Sequence, residues 1–357
     1  MYDLFFKLAL QRIDAERAHE LARRSLRAVR ATGMGRAAVR GLVGAIDPCL
    51  ETRAMGLAFP TPIGVAAGLD KEATFFDDLA ALGFGFVEIG TVTALPQPGN
   101  ERPRIARFPA QRALLNKMGF PNPGAEVVAA RLSRRPPGTV VGVNIGKSRA
   151  VSIDDAGADY RASVRLLAPV ADYLVMNVSS PNTPGLRKMQ AVDRLRALIG
   201  DVRAELAAVR SAPPLLVKLD PDLATGQLTE VAELAVELEL DGIVAVNTTV
   251  DRTALNGAAP FEGGGVSGRP LRDRALEVLR GIRETVGDRL VLVSAGGVES
   301  AEDARQRIVA GATLVQVYTA FIYGGPSWPK RTNRALAQLV RDARAGSVQE
   351  LTGDPVG

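Results

Sequence analysis

Eight short apolar segments, each followed by a segment of helical period, dominate the chain from residue 60 onward. They span residues 63–70, 85–93, 139–146, 173–180, 214–221, 242–249, 290–297 and 313–320. Seven of the eight lack a strict polar alternation, as expected for parallel strands that are buried on both faces. Eight β–α units predict an α/β fold, specifically a closed (β/α)8 TIM barrel. A doubly wound open sheet is the alternative, because periodicity does not reveal whether a sheet closes.

Two connections are longer than an ordinary βα loop. Residues 94–123 follow the second predicted strand, and residues 250–269 follow the sixth. Both therefore leave the carboxyl end of a strand, which is the face where such barrels carry their active sites. We expect both insertions to border a functional site.

The first 40 residues differ in character from the rest. Apolar residues at positions 4, 5, 8, 9, 13, 18, 21 and 22 are interleaved with basic ones, which predicts an amphipathic helix or helix pair. Lys7 interrupts the apolar stretch, which argues against a secretory signal, and no run of about 18 uncharged apolar residues could span a bilayer. The segment is expected either to cap the barrel or to lie in a membrane interface. We therefore divide the chain into this segment (1–40), a barrel domain (41–346) and a tail (347–357).

The composition argues against several classes of protein. Cys49 is the only cysteine, so an internal disulfide is excluded, a Cys/His zinc site is not expected, and a reducing compartment fits. The net charge is +5, but the basic residues are scattered and only five Tyr and one Trp could stack on bases, so we expect no nucleic-acid partner. We also expect no metal site.

Polar residues collect at the predicted strand ends. Lys71 and Lys218 lie in otherwise apolar runs, where an unpaired ammonium is costly, so we predict that both face an anionic or electron-rich ligand. The other such residues are Thr91, Asn144, Lys147, Asn177, Ser180, Asn182, Asn247, Thr248, Gly296, Gly297, Tyr318 and Thr319. Each one alone could be an ordinary strand end or helix cap, but together they would converge on one face.

A glycine pair points to a phosphorylated ligand, and the small number of histidines and strand-end acids argues against two classes of hydrolase. A Gly pair at 296–297 ends the seventh strand before a helix, a position where backbone N–H groups bind phosphate in such barrels. His19 is the only histidine and is far in sequence from Ser180, which argues against a Ser-His-Asp hydrolase. Asp70 and Asp220 are the only strand-end acids, which argues against a glycosidase. The remaining amides, lysines and backbone donors suit a cofactor that carries redox chemistry.

Ten ordered motifs then point to a family. They are AAGLDK (66–71), IGTVTALPQPGN (89–100), NKMGF (116–120), GVNIGKS (142–148), NVSSPNTPGLR (177–187), VKLDPD (217–222), NTT with DR (247–252), GGVSGRPL (264–271), AGGV (295–298) and VYTAFIY (317–323). Together they resemble the quinone-dependent, class 2 dihydroorotate dehydrogenases. The resemblance implies a (β/α)8 barrel that holds FMN, oxidises (S)-dihydroorotate to orotate in pyrimidine biosynthesis and passes the electrons to a membrane quinone.

The resemblance also implies roles for individual residues. FMN contacts would come from Ala67, Gly68, Leu69, Asp70, Lys71, Thr91, Asn144, Asn177, Lys218, Val246, Gly268, Gly297, Tyr318 and Thr319. Contacts to the substrate's carboxylate and ring amides would come from Lys71, Asn116, Lys117, Met118, Gly119, Phe120, Asn177, Asn182, Asn247 and Thr248. Asparagine suits such a ring because it both donates and accepts hydrogen bonds. Val246 stands where threonine is expected, so a flavin contact there would use the backbone.

Ser180 resembles the family's catalytic base, which takes the C5 proton while hydride leaves C6 for the flavin. A hydroxyl is a poor base, so geometry and a proton relay must compensate, and the prolines of the turn NVSSPNTPG (177–185) would hold Ser180 and Asn182 in place. Soluble class 1 relatives use cysteine in this role, and Cys49 precedes the first barrel strand, so the resemblance is to class 2.

The resemblance finally implies a setting for the protein. The amino-terminal helix would dip its apolar side into lipid, and His19 and Arg107 would line a quinone tunnel, although His19 could equally be an ordinary surface residue. We expect a peripheral protein on the cytoplasmic side of a bacterial inner membrane, as a monomer or weak oligomer. Two alternatives stay open: a related flavin barrel that uses a soluble acceptor such as fumarate or NAD, and a catalytically silent binder of a phosphorylated ligand.

Overall fold

The structure, a computed structural model, describes residues 2, 6, 10–183, 185–255 and 259–352 of the chain. Several residues that the predictions from sequence involve lie outside the described residues. They are Lys7 and the apolar positions 4, 5, 8 and 9 of the amino-terminal segment, Pro184 in the predicted rigid turn, residues 256–258 of the second insertion, and residues 353–357 of the tail.

Eight parallel strands close into a barrel. The strands of the described chain are β1 (Thr52–Ala54), β2 (Leu57–Phe59), β3 (Ile63–Val65), β4 (Phe86–Val92), β5 (Ile105–Phe108), β6 (Ala113–Asn116), β7 (Val140–Ile145), β8 (Tyr173–Asn177), β9 (Leu215–Leu219), β10 (Gly242–Ala245), β11 (Gly265–Gly268), β12 (Val291–Ala295) and β13 (Leu314–Val317). The barrel order is β3-β4-β7-β8-β9-β10-β12-β13, and β13 pairs with β3 to complete the ring. Each barrel strand lies within one predicted segment, which confirms the closed barrel and excludes the open sheet.

Helices alternate with the barrel strands. Before the barrel stand α1 (Ala15–Ala31) and α2 (Gly33–Val43); the barrel helices are α3 (Phe76–Ala80), α4 (Ala125–Leu132), α5 (Ala156–Leu167), α6 (Val192–Leu206), α7 (Thr225–Glu237), α8 (Arg272–Val286), α9 (Ala301–Val309) and α10 (Thr319–Gly324), and α11 (Trp328–Asp342) follows them. Helix α8 buries positions 275, 278, 279, 282 and 286, a spacing of three to four residues that puts them on one face. The sequence pattern therefore sets which side of each helix covers the sheet.

Aromatic rings fill one end of the barrel. Phe86 and Tyr173 are buried among apolar side chains that include Phe59 of β2, so the hairpin of β1 and β2 covers this end. A Cβ atom on Gly64 would lie 2.3 Å from the ring of Phe86, and one on Gly142 would lie 2.0 Å from that of Tyr173. The two glycines thus make room for the rings on neighbouring strands, and the open space of the barrel lies at its other end.

The two insertions meet in a second, smaller sheet. Strands β5 and β6 of the first insertion form a hairpin, and β11 of the second insertion pairs antiparallel with β6, matching Gly265 with Asn116. We call this three-stranded sheet of β5, β6 and β11 the roof sheet. The sequence predicts that the insertions border the site but does not predict these strands.

The amino-terminal segment forms a helix pair, one of the two predicted arrangements. Helices α1 and α2 pack on each other, and α1 also contacts β5 and α3. The Glu16 carboxylate accepts a hydrogen bond of 2.6 Å from Nε of Arg104, and Arg30 forms an ion pair of 2.9 Å with Asp77. Within the described part of the chain, no helix has the length and apolar character needed to cross a membrane.

Candidate active site

A cavity of about 1140 Å³, including its mouth, lies at the carboxyl ends of the barrel strands under the roof sheet. Most of the predicted site residues line it. They are Ala67, Gly68, Lys71, Thr91, Asn116, Met118, Gly119, Phe120, Asn177, Ser180, Asn182, Lys218, Val246, Asn247, Thr248, Gly268, Gly297, Tyr318 and Thr319. Residues separated by some 250 positions in the chain are therefore neighbours around one space.

Two predicted residues of the loop after β3 point away from the cavity. Leu69 is 2% exposed and belongs to the hydrophobic core. The Asp70 carboxylate accepts hydrogen bonds of 2.7–3.1 Å from the backbone N–H groups of Glu72, Thr74, Phe75 and Phe76. Asp70 thus shapes the loop that presents Lys71 and does not itself line the cavity.

Asn144 and Lys117 also lie outside the lining. Asn144 is fully buried behind it, where its Oδ1 accepts hydrogen bonds from Thr91 Oγ1 at 2.5 Å and from Asn177 Nδ2 at 3.2 Å. Asn144 can therefore act on a ligand only through these two residues. The Lys117 ammonium lies 4.8 Å from the centre of the Phe261 ring, within the range of a cation–π contact.

A buried carboxylate that the sequence reasoning missed holds Asn144. Glu88 on β4 is fully buried; its Oε1 accepts a hydrogen bond of 2.8 Å from Asn144 Nδ2, and its Oε2 accepts one of 2.5 Å from Gln316 Nε2. An acid within the apolar run GFVEIG (85–90) was the available signal. Burial lowers the pKa of Lys218, and the negative charge of Glu88 acts in the opposite direction.

The two predicted lysines both reach the cavity. Lys218 is 5% exposed on β9, and Lys71 donates a hydrogen bond to the carbonyl of Gly68. Burial is the main cause that lowers the pKa of Lys71 to about 8, with a smaller contribution from Arg104 in the same direction. An anion in the cavity would offset this burial, as expected for lysines that await a ligand.

Ser180 lies in the turn after β8 and is 4% exposed. Its Oγ accepts a hydrogen bond of 3.2 Å from the backbone N–H of Asn182, and Asn182 Nδ2 donates to the Asn116 carbonyl at 3.2 Å. A hydrogen bond donated to a hydroxyl oxygen favours its anionic form. The turn therefore holds the Ser180 hydroxyl in place beside a backbone N–H donor.

Glycine turns form another part of the wall. Gly268 and Gly297 have positive φ angles of 95° and 74°. A Cβ atom on Gly297 would lie 2.2 Å from Cα of Arg272, so only glycine allows this close backbone approach. The hydroxyls of Ser267 and Thr319 are 2.8 Å apart beside them. We call the residues Gly268, Gly296, Gly297 and Thr319 the glycine end of the cavity.

The arrangement suits a flat aromatic ring with a phosphate tail. Apolar side chains of Ala66, Val246, Ala295 and Val317 offer contact area, while lysine and amide groups offer hydrogen-bond donors. The glycine end provides backbone close to any ligand. No group of three His, Cys, Asp or Glu side chains suited to a metal ion occurs among the described residues.

His19 and Arg107 lie outside the cavity, on the side of α1. The His19 ring packs edge-on against Phe75 with centroids 6.2 Å apart, and burial, followed by the charge of Lys71, lowers its pKa to about 4. Arg107 on β5 donates a hydrogen bond to the carbonyl of Ile13. Arg107 is not among the residues that line the cavity, although Ile105, two residues earlier on β5, and Leu114, the cross-strand partner of Arg107 on β6, line it from the same face of the roof sheet.

Known proteins resemble this chain over nearly its full length. The family model of dihydroorotate dehydrogenase matches residues 49–340. Proteins named dihydroorotate dehydrogenase (quinone) are 52% identical in Thermobifida fusca, covering 99% of this chain and 96% of that protein, and 50% identical in Mycobacterium tuberculosis, covering 99% and 98%. A crystal structure of DHODH from Eimeria tenella in complex with ferulenol has a TM-score of 0.87 at 34% identity and covers 98% of both chains.

Proposed function

This chain belongs to the dihydroorotate dehydrogenase family, and we propose that it oxidises (S)-dihydroorotate to orotate in pyrimidine biosynthesis, with FMN as cofactor and a membrane quinone as acceptor. The main support for this proposal is that Lys71, Ser180 and Lys218 line the same cavity. The quinone acceptor is supported by relatives that share about half of their residues with this chain and carry that name.

FMN fits the residues of the cavity. Lys218, Thr91 and Asn177 offer donors and acceptors for the flavin ring, and the glycine end offers the close backbone approach that a phosphate needs. The Val246 N–H donates to the Ala295 carbonyl at 3.0 Å, so a flavin contact at Val246 would use its carbonyl or its apolar side chain. When bound, FMN supplies a two-electron acceptor for the substrate's hydride.

The substrate fits beside the flavin, under the roof sheet. Asn116, Asn177, Asn182 and Asn247 line the cavity and can pair with the ring N–H and C=O groups of dihydroorotate. Lys71 carries the positive charge that a substrate carboxylate needs. Because the pKa of Lys71 is lowered to about 8, we expect substrate affinity to fall as pH rises above this value.

Ser180 would take the proton from C5 of the substrate. The hydrogen bond from the Asn182 N–H supports the alkoxide character that a serine base requires. The buried position of Ser180 keeps bulk water away from this oxygen. Raising the pH should therefore speed proton removal as long as Lys71 stays charged.

The test is anaerobic mixing of the purified yellow protein with dihydroorotate, followed by flavin absorbance. We expect the flavin to bleach and then to recover when a quinone analogue is added. A protein that holds FMN but does not bleach at any pH would be the silent binder. Bleaching with recovery by fumarate or NAD, but not by the quinone analogue, would favour the soluble-acceptor alternative.

We also propose that residues 1–40 attach the barrel domain (41–346) to the cytoplasmic side of a bacterial inner membrane as a peripheral protein. Leu21 of α1 and Met34 of α2 are 51% and 86% exposed, although both are apolar. Under this proposal His19 on α1 and Arg107 on the neighbouring β5 would lie beside the path by which a quinone approaches the flavin. The tail (347–357) and a monomeric or weakly associated state stay predictions.

A further inference from the structure

Arg307 on α9 is a buried cation that the chemistry above does not use. It is 1% exposed and is the largest of the fully buried side chains. Its Nη2 donates hydrogen bonds to the carbonyls of Arg272 at 2.6 Å and Gly296 at 3.1 Å. Its Nη1 has no hydrogen-bond partner among the residues that the structure describes.

Among the residues that the structure describes, none forms an ion pair with Arg307. Asp303 is the acid with the largest effect on the pKa of Arg307, but its Oδ2 already accepts hydrogen bonds from the N–H groups of Glu299 and Ser300 and from Arg272. Burial lowers the pKa of Arg307 to about 10, so it stays charged at neutral pH. A buried guanidinium bound only to carbonyls is costly unless an anion comes near.

Arg307 lies directly behind the glycine end of the cavity. One of its two carbonyl partners belongs to Gly296, and the turn of Gly296 and Gly297 lines the cavity on its other side. The other partner is Arg272, whose backbone contacts Gly297 and begins helix α8. The guanidinium thus holds this turn against the positive end of a 15-residue helix.

A carboxylate also lines this end, but its charge is neutralised. Glu299 forms ion pairs with Arg112 and with Arg269 at 2.9 Å and Arg272 at 3.5 Å. These three arginines neutralise Glu299, whereas Arg307 forms no ion pair with a carboxylate in the described structure. The net field at the glycine end is therefore positive.

We infer that Arg307 is a positioning residue that acts through the Gly296–Gly297 turn as a buried positive charge and makes the cavity selective for a flavin that carries a phosphate monoester. The inference rests on the proposed function. Arg307 does not line the cavity and would not touch the phosphate; it orders the turn whose backbone lines the cavity and adds a buried unit charge that salt screens little.

Selectivity can be measured on the holoenzyme without any turnover. The protein is dialysed to equilibrium against mixtures of FMN and riboflavin, and the bound flavins are released and quantified. The two ligands differ only in the phosphate, so their ratio reports that group alone. A second series with riboflavin and inorganic phosphate tests whether free phosphate fills the same place.

We expect Arg307→Met to lower the preference for FMN over riboflavin by about tenfold or more. At an effective dielectric constant of about 20, the attraction between a unit positive charge and a phosphate dianion is large enough to change the binding ratio by at least this factor. Arg307→Lys keeps the charge and should keep the preference within about threefold. Arg305→Met is the control, because Arg305 lies two positions away on α9 but pairs with Glu302 near the surface. Free phosphate should raise riboflavin binding in the wild type more than in Arg307→Met.

A purely structural Arg307 would weaken both flavins equally and leave the preference unchanged, which would overturn the inference. Loss of the preference in Arg307→Lys would also overturn it, and this variant decides the matter if Arg307→Met does not fold. A wild-type protein that binds neither flavin would instead contradict the proposed function. The two failures are therefore distinguishable.

Discussion

Glu88 is the single residue with the widest influence on the wall of the cavity. It receives hydrogen bonds from the amides of Asn144 and Gln316, and Asn144 in turn receives those of Thr91 and Asn177. A carboxylate accepts hydrogen bonds from both neighbouring amides at once. A glutamine in its place would turn an N–H₂ group toward one of these two donors, and two donors cannot form a hydrogen bond with each other. The orientation of three cavity-lining residues, Thr91, Asn177 and Gln316, thus depends on a carboxylate that does not itself line the cavity.

We predict that Glu88→Gln lowers the pKa of Lys218 further, because the opposing negative charge is lost while burial remains. The change can be followed by NMR of the lysine side chains, which number only seven in the chain, with assignment by Lys218→Arg. Glu230→Gln, an exposed acid on α7, should leave the titration unchanged. An unaltered or higher pKa of Lys218 in Glu88→Gln would show that Glu88 does not act on it.

We predict that Ser180→Ala keeps its flavin but slows anaerobic flavin reduction by dihydroorotate by about 10²-fold or more, the scale of a lost general base. The rise of the reduction rate with pH should disappear together with the hydroxyl. Rapid-mixing absorbance measures both. A near-normal rate, or a rate that still rises with pH, would assign proton removal to another group.

Individual site residues were most predictable from the sequence where their residue type is rare. Lys71 and Lys218 stand out in a chain with few lysines, and both reach the cavity. The same argument applied to an acid in an apolar strand would have found Glu88. The side chains of Asp70 and Asn144 point behind the wall because a strand-end position does not fix the direction of a side chain.

At the scale of elements, the predicted strands are correct but extend too far. The apolar runs continue to residues 70, 180 and 249, whereas β3, β8 and β10 end at Val65, Asn177 and Ala245. The excess residues form the loops that carry Lys71, Ser180 and Thr248. These loops are buried like strands because they surround a binding site, so hydrophobicity alone could not separate them.

The roof sheet was not predictable from local patterns. Its strands are four residues long, and β11 pairs with β6 although about 150 residues lie between them. Glycine and proline in both insertions are typical of loops, and they mask such short strands. Pairing between two insertions is a tertiary property, which no window of sequence contains.

We predict that Leu21→Ser with Met34→Ser lowers co-sedimentation with anionic lipid vesicles by about tenfold, because each change removes exposed apolar area that could enter the interface. Flavin reduction by dihydroorotate should stay normal. Leu166→Ser on α5 is the matched control, since Leu166 is also exposed, at 39%, but lies on a barrel helix. Equal binding by all variants would remove α1 and α2 from membrane attachment.

At the scale of the whole molecule, stability should depend on His19. Its pKa is about 4 in the folded protein and 6.5 when unfolded, so the unfolded chain binds more protons between these values and stability falls as pH drops through this window. The full loss is at most about 3 kcal/mol. Asp220, with its pKa raised by burial to about 6, acts in the opposite direction.

We therefore predict a difference between two proteins. Between pH 7.5 and 5 the thermal midpoint of the wild type should fall further than that of His19→Gln, because only the wild type must keep a half-buried imidazole neutral. The contribution of Asp220 is common to both and cancels. Equal shifts, measured by calorimetry on the holoenzymes, would show that His19 is already solvated in the folded state.

Closure of the barrel was the global feature most accessible from sequence. Eight apolar segments already match the strand number of a closed barrel, and the pairing of β3 with β13 completes it. What the count could not supply is the position of α1, which depends on Glu16 and Arg104, residues 88 positions apart. Such contacts between distant segments are a property of the assembled molecule.

The roof sheet also sets an order of events during synthesis. Strand β11 leaves the ribosome about 150 residues after the hairpin that it joins, when three of the chain's four quarters have been made. At that point β12 and β13 and most of the glycine end of the cavity, all later in the chain, are still to be made. The last quarter of translation therefore completes both the wall and the roof of the cavity, so a cofactor can be enclosed only when the chain is nearly finished.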